Sequence, residues 1–280
     1  MKTNLQQLAA CILTLTTLLG CQEGSSDSSS SGSGTGQSGS LAAMTIFQGE
    51  LVFIDRNTIY SFQLSNKFAP ELHIAERTNN NVETVFNYND EYLMIGTNTG
   101  VLIYAKAIAV QDRERFARVS RISHLRAYDP VIAIGDTAYY TTRNGDTDFN
   151  SERTDVVGVI DIGNIESPVI ESLYLDLYEP QGLGLHNNTL YVCDKKEGLV
   201  KFNVEEIDNE ANDLVDIDGT PVTDEQTVKG LVRQPLDNSY ACNDLIVNGD
   251  TLILTSALGI QQLRIENDGL TVLSEISKDG

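Results

Sequence analysis

The chain has 280 residues, 41% of them hydrophobic, enough for one large domain or two small ones. Its 19 basic against 40 acidic side chains leave a net charge of -21, which repels phosphate backbones and excludes nucleic acid as a natural partner. No long apolar run follows residue 20, so nothing beyond the N-terminus reads as a membrane-spanning helix.

The first twenty residues read as an address. Lys2 supplies a minimal positive region, and Leu8 to Leu19 (LAACILTLTTLL) forms an apolar core too short to span a bilayer. Leu18-Leu19-Gly20-Cys21 then resembles a bacterial lipobox, whose cysteine is lipidated and becomes the new N-terminus; the plainer alternative is an ordinary cleaved signal peptide. Acyl chains on Cys21 imply a membrane-anchored protein of the bacterial cell envelope. Gln22, where an Asp would stand for inner-membrane retention, resembles outer-membrane sorting, with the leaflet and face left open. Residues 21–40 are Ser/Gly-rich and cannot build a core, so they are expected to form a flexible tether before a folded region over 41–280.

From residue 41 onward one strand grammar is spelled five times. The opening hairpins are MTIFQGELVFID (44–55), ETVFNYNDEYLMIG (83–96), DPVIAIGDTAYYTT (129–142), QGLGLHNNTLYVCD (181–194) and NDLIVNGDTLILTS (243–256). Each joins two apolar runs across a Gly-Glu, Asn-Asp, Gly-Asp or Asn-Asn turn, the signature of an antiparallel hairpin. Third runs follow at 58–64, 100–107, 156–162, 198–204 and 259–265, and fourth, alternating runs at 71–77, 117–125, 168–175, 227–236 and 270–276. A four-stranded sheet cannot bury both of its faces alone, so units recurring at roughly 40 to 60 residues must stack on one another. The expected fold is all-β: a five-bladed β-propeller of four-stranded antiparallel blades, over about 41–78, 79–126, 127–176, 177–237 and 238–280. A β-sandwich is the alternative, but it predicts no grammar repeated five times.

The stretch GVIDIGNIESPVIESLYL, followed by GLGLHNNTLYVCD and EGLVKFNV, is similar to the LVIVD-repeat β-propellers of bacterial and archaeal cell-surface proteins. Residues 128–276 carry the match, and the first two blades are degenerate. The Asp of the family's third strand survives as Asp161, with Asn203 and Arg264 at the other matching places. These are packing motifs, so the resemblance implies fold and location and carries no chemistry.

Two insertions break the repeat, Arg143 to Asp155 in the third blade and Glu205 to Glu225 in the fourth, and long loops on a rigid scaffold commonly carry binding. The second nearly spells a calcium loop through Asp216, Asp218, Gly219 and Glu225. Leu214 stands where the first liganding Asp is needed, so a local Asp-Gly hairpin between LVDI and TPVT is the preferred reading. His73, His124 and His186 fall in different blades and read as surface or strand-edge residues. Lys106, Arg113, Arg115, Arg118, Arg121 and Arg126 cluster in the second blade, where charge on an edge strand blocks edge-to-edge pairing; an anion-binding patch is the functional alternative. No metalloprotease, nucleophile-elbow or phosphate-loop motif is present in the sequence.

After processing, Cys193 and Cys242 are the remaining thiols, placed by the grammar near one rim of neighbouring blades, where an oxidising compartment favours a bridge. At the entries to the inner strands stand Glu83, Asp129, Glu179 and Asp244, three of them near a tyrosine (Tyr128, Tyr178 and Tyr240). Repeat symmetry puts this acidic and aromatic rim near the axis. A converging ring would suit calcium or magnesium, whereas separate acids would only decorate a solvated rim. The motifs call for no other cofactor. Two functions fit: a membrane-anchored, non-catalytic propeller presenting a binding surface to a protein or glycan partner, or a five-bladed carbohydrate-active enzyme using carboxylates at the axial channel.

Overall fold

A computed structural model describes residues 38–39, 43–108, 113–123, 130–143, 155–204, 214–215, 231–236, 238–267 and 269–278. All the regular structure among them is β-strand. A two-residue strand β1 (Ser38–Gly39) precedes the first blade, which is β2 (Met44–Phe47), β3 (Glu50–Asp55), β4 (Thr58–Gln63) and β5 (Glu71–Arg77). Blade two is β6 (Val82–Tyr88), β7 (Tyr92–Thr97), β8 (Gly100–Ile108) and β9 (Glu114–Ser123). Blade three is β10 (Val131–Ile134), β11 (Thr137–Thr142), β12 (Val156–Asp161) and β13 (Val169–Tyr174). Blade four is β14 (Leu183–His186), β15 (Thr189–Asp194) and β16 (Gly198–Asn203), then β17 (Leu214–Val215) leaves it before β18 (Val232–Gln234) completes it. Blade five is β19 (Asp244–Asn248), β20 (Thr251–Ser256), β21 (Gly259–Glu266) and β22 (Gly269–Ser277). Five antiparallel meanders in succession make the protein a β-propeller of five blades.

Local chemistry sets these boundaries. In blades one and two the hairpin turns have both central residues at positive φ (Gln48 49° and Gly49 76°; Asn89 48° and Asp90 58°), the backbone hand that matches strand twist. The first of these turns is therefore Gln48-Gly49, one residue ahead of the expected Gly-Glu pair, and Glu50 opens β3.

The first strands of successive blades touch in turn, β2 with β6, β6 with β10, β10 with β14 and β14 with β19, so they form the inner wall. Small residues permit that approach: a Cβ at Gly184 of β14 would lie 2.1 Å from Leu245 Cδ1 of β19. Three apolar clusters bind the blades, one across blades one and two, one through two, three and four, and one across four and five. Phe47 of β2 meets Phe116 of β9 in the first, and Tyr174 meets Phe202 edge-on in the second.

The far face of blade one is apolar without such a cover among the described residues. Cross-strand partners place Met44, Phe53, Tyr60 and Ala75 in one row and Ile46, Leu51, Phe62 and Leu72 in the next. Phe53 stacks on both Tyr60 and Phe62, while Met44 and Leu72 are 61% and 58% exposed.

Two placements differ from the sequence reading. Ser38 and Gly39, expected in the flexible tether, pair with Val247 and Ile246 as an added innermost strand of blade five. The inner edge of blade five offers an open ladder there, and the added backbone satisfies its hydrogen bonds. Leu214–Val215, expected in a local hairpin, instead pairs with Tyr174 and Leu173 at the outer edge of blade three, whose open ladder offers ready hydrogen bonds. Asp216, Asp218, Gly219 and Glu225 lie outside the described residues, as do Cys21, His124, Arg126, Tyr128 and Asp129.

Candidate functional site

The inner-strand entries of blades two, four and five come together around Arg143, the residue after β11 in blade three. The charge of Arg143 acts on Glu83 in β6 and on Lys195 in the turn after β15. With its amide turned to satisfy both neighbours, Gln181 accepts from Arg143 Nη1 at 3.3 Å and donates to the Asn243 carbonyl at 3.0 Å. Thr141 Oγ1 donates to the Gln181 carbonyl at 3.0 Å, so the last residues of β11 hold the entry to β14 directly. Gly182 then donates to the Asn243 carbonyl, and a Cβ at Gly182 would lie 2.7 Å from Asp244 Oδ1, which brings the entry of blade five into the same group.

The expected rim residues divide accordingly. Glu83 is half-buried; burial raises its carboxyl above the ordinary glutamate range, with Arg143 pulling the other way. Glu179 pairs with Lys195, and its backbone N–H donates to Asp155 Oδ2 at 3.2 Å. It also adopts φ 45°, a conformation a non-glycine residue holds only where its surroundings impose it, and such positions concentrate at binding and catalytic sites. Asp244 is half-buried and accepts the Leu245 N–H at 2.8 Å. Glu83 and Glu179 thus each face a protein cation, which relieves the like-charge repulsion of a purely acidic ring.

Among the tyrosines, Tyr178 is 51% exposed on this rim and its N–H donates to Asp194. Tyr240 is a correction: it is buried in the cluster between blades four and five, and its hydroxyl donates to the Leu270 carbonyl at 3.2 Å. It stands four residues ahead of β19, where the chain crosses blade four's third strand, and covering Leu199 there buries the ring.

Sequence reasoning missed two residues. Asp194 is fully buried and its carboxylate accepts backbone N–H bonds from Tyr178, Lys196 and Glu197 at 2.6 to 2.8 Å, tying the Lys195–Glu197 turn to the entry of β14. An Asp at the start of a turn was its only local signal. Arg143 carried none, because its partners come from two other blades. Next to this rim, Cys193 and Cys242 form a disulfide with Cα atoms 5.0 Å apart, joining the end of β15 to the approach to β19.

The basic residues of blade two serve separate purposes. Arg115, Arg118 and Arg121 are exposed on β9, the outermost strand. A cleft of about 270 Å³ between blades one and two is lined by Arg77, Arg115 and Arg118 but also by Glu76 and Tyr104, so its charge is mixed. Lys106 points into the interface between the two blades and meets Glu50 at 3.0 Å. His73 is there too, half-buried beside Glu50, because a slip of register draws it off the strand edge. His186 lies 3.6 Å from the exposed Asp250.

No family model matches the chain, and no curated protein does. In shape it is similar to a candidate 6-phosphogluconolactonase from Bacteroides fragilis, with TM-score 0.51 and 13% identity over 84% of this chain and 69% of that one. It is also similar to Sqt1 from Chaetomium thermophilum bound to the N-terminus of a ribosomal protein, with TM-score 0.48 and 11% identity over 87% of this chain and 64% of that one. At such identities the first likeness speaks to the propeller fold alone.

Proposed function

We propose that the protein is a lipid-anchored, non-catalytic β-propeller of a bacterial envelope that offers its axial rim to a protein or glycan partner. The carrying observation is the Arg143 group, in which charged and hydrogen-bonding side chains of blades two, three and four meet a backbone carbonyl of blade five beside the exposed Tyr178 and the constrained Glu179. Neutralised charges, amides and one open aromatic ring recognise polar partners by hydrogen bonding and stacking. The lipobox-like Cys21, the Ser/Gly tether and the similarity to LVIVD repeats support an envelope location.

The test has two arms. Fractionation should find the wild type with membranes and Cys21→Ala in the aqueous phase; wild type that is aqueous with another N-terminus sinks the anchor. Soluble Cys21→Ala protein on an array of envelope glycans, and in cross-linking to defined envelope proteins, should bind a partner that Arg143→Ala and Tyr178→Ala lose while keeping their melting temperature. A partner bound equally by both variants would move the surface elsewhere.

The carbohydrate-active alternative draws on the half-buried place of Glu83 in the innermost strand of blade two, where burial raises a carboxyl as a general acid requires. Glycan turnover abolished by Glu83→Gln would establish it, and partner binding without turnover would remove it.

A further inference from the structure

Away from the rim, the interface between blades one and two gathers the donor types of a metal site. Glu50 opens β3 on the side that faces blade two, and its carboxylate is 12% exposed. Between Ser61 and Phe62 the register with β5 slips: Ser61 faces Ile74 while Phe62 faces Leu72, leaving His73 unpaired. The bulge turns the imidazole toward blade two, with Nδ1 2.9 Å from Glu50 Oε1 and Nε2 3.5 Å from Glu114 Oε2 of β9. Ser61 Oγ donates to the other Glu50 oxygen and fixes the orientation of that carboxylate. One ligand atom from each of Glu50, His73 and Glu114 lies within 4.8 Å of the others.

We propose that Glu50, His73 and Glu114 form a divalent-cation site of the zinc class across blades one and two, in which the metal exchanges with the ammonium of Lys106. Lys106 Nζ is 3.0 Å from Glu50 Oε1 and 4.0 Å from Glu114 Oε2, the place where positive charge is wanted. Its four-carbon stem lets it withdraw toward solvent when a stronger cation arrives. Two carboxylates and an imidazole suit zinc and its neighbours, whereas calcium calls for six to eight oxygens. Three protein ligands leave a fourth position for water or for a donor group of a bound partner. Ser61 and Lys106 bond the two oxygens of the Glu50 carboxylate and hold it in the orientation a ligand needs. The net charge of -21 adds a long-range attraction for cations.

The probe is Zn²⁺ alone, titrated into the full chain carrying no polyhistidine tag, in competition with a chromophoric chelator; Co²⁺ absorption reads the coordination. The bridge between Cys193 and Cys242 keeps those sulfurs out of competition. The wild type should bind one ion, with a rise in melting temperature. Glu114→Gln alters a 47%-exposed side chain and should leave the fold intact while weakening zinc at least about tenfold. His73→Gln should do the same, and Lys106→Met should tighten binding several-fold by removing the competing ammonium. Equal zinc affinity in wild type, Glu114→Gln and His73→Gln would assign the ion to other carboxylates and overturn the proposal. Failure of both wild type and Lys106→Met to bind would leave the cluster as an ionic lock between two blades.

Discussion

Burial raises the Glu83 carboxyl above the ordinary glutamate value of 4.5, and the opposing charge of Arg143 recovers only part of that rise. A carboxyl whose folded value exceeds its unfolded one costs stability at high pH, where it is ionised in both states. The cost shrinks as pH falls through the folded value and is gone below the unfolded value of 4.5. Glu83→Gln should therefore raise the melting temperature at pH 7, by about 2 °C because the group keeps solvent contact, and give no gain near pH 4. Melts of both proteins across that range check it; an equal gain at both ends would show that packing rather than ionisation is responsible. Glu50 has the reverse sign: its lowered carboxyl stabilises above 4.5, and that contribution fades as pH drops through its folded value.

At the scale of the strand, Gly158 shows why a breaker sits in the middle of VVGVID. It faces Tyr140 across β11 and β12, and a Cβ there would lie 2.0 Å from the fully buried Tyr140 ring. The aromatic ring fills the missing side chain's place. Gly158→Ala should cost about 1–3 kcal/mol by overpacking, read as a lower urea midpoint with an unchanged slope. A second change, Tyr140→Leu, should recover part of the loss, since the two sites share one volume. Strands such as these were legible because turn chemistry and alternation are local. The slip at Ser61 and Phe62 was not, because ELHIAER alternates the same way with or without a bulge, and only the facing blade shows where His73 points. Arg143 and Tyr240 escaped for the same reason: their roles rest on other blades.

Across the molecule, the apolar clusters hold blade to blade, and the bond between Cys193 and Cys242 adds a covalent tie between blades four and five. It closes a segment with sequence separation 49, which in the chain-entropy account removes about 4 kcal/mol of unfolded-state freedom. Reduction should lower the melting temperature, and alkylation of the oxidised, denatured chain should label neither Cys193 nor Cys242 by mass spectrometry. Quantitative labelling without reductant would refute the bridge. Repetition made the blade count readable from the sequence, since five copies of one pattern reinforce one another. Which blade faces stay uncovered among the described residues was not readable: the apolar rows of blade one look like any core-facing pair, and only the neighbours of that blade distinguish them.

The strand formed by Ser38 and Gly39 has a mechanical meaning. It lies against Val247 and Ile246 at the innermost edge of blade five, yet blade one begins only a few residues later at Met44. Tension arriving through the residues before Ser38 would load this two-residue ladder ahead of any blade. Its few backbone hydrogen bonds would part first, and the slack released would spare β2. If the proposed anchor at Cys21 is present, this strand would act as a fuse, giving way before a pull reaches β2.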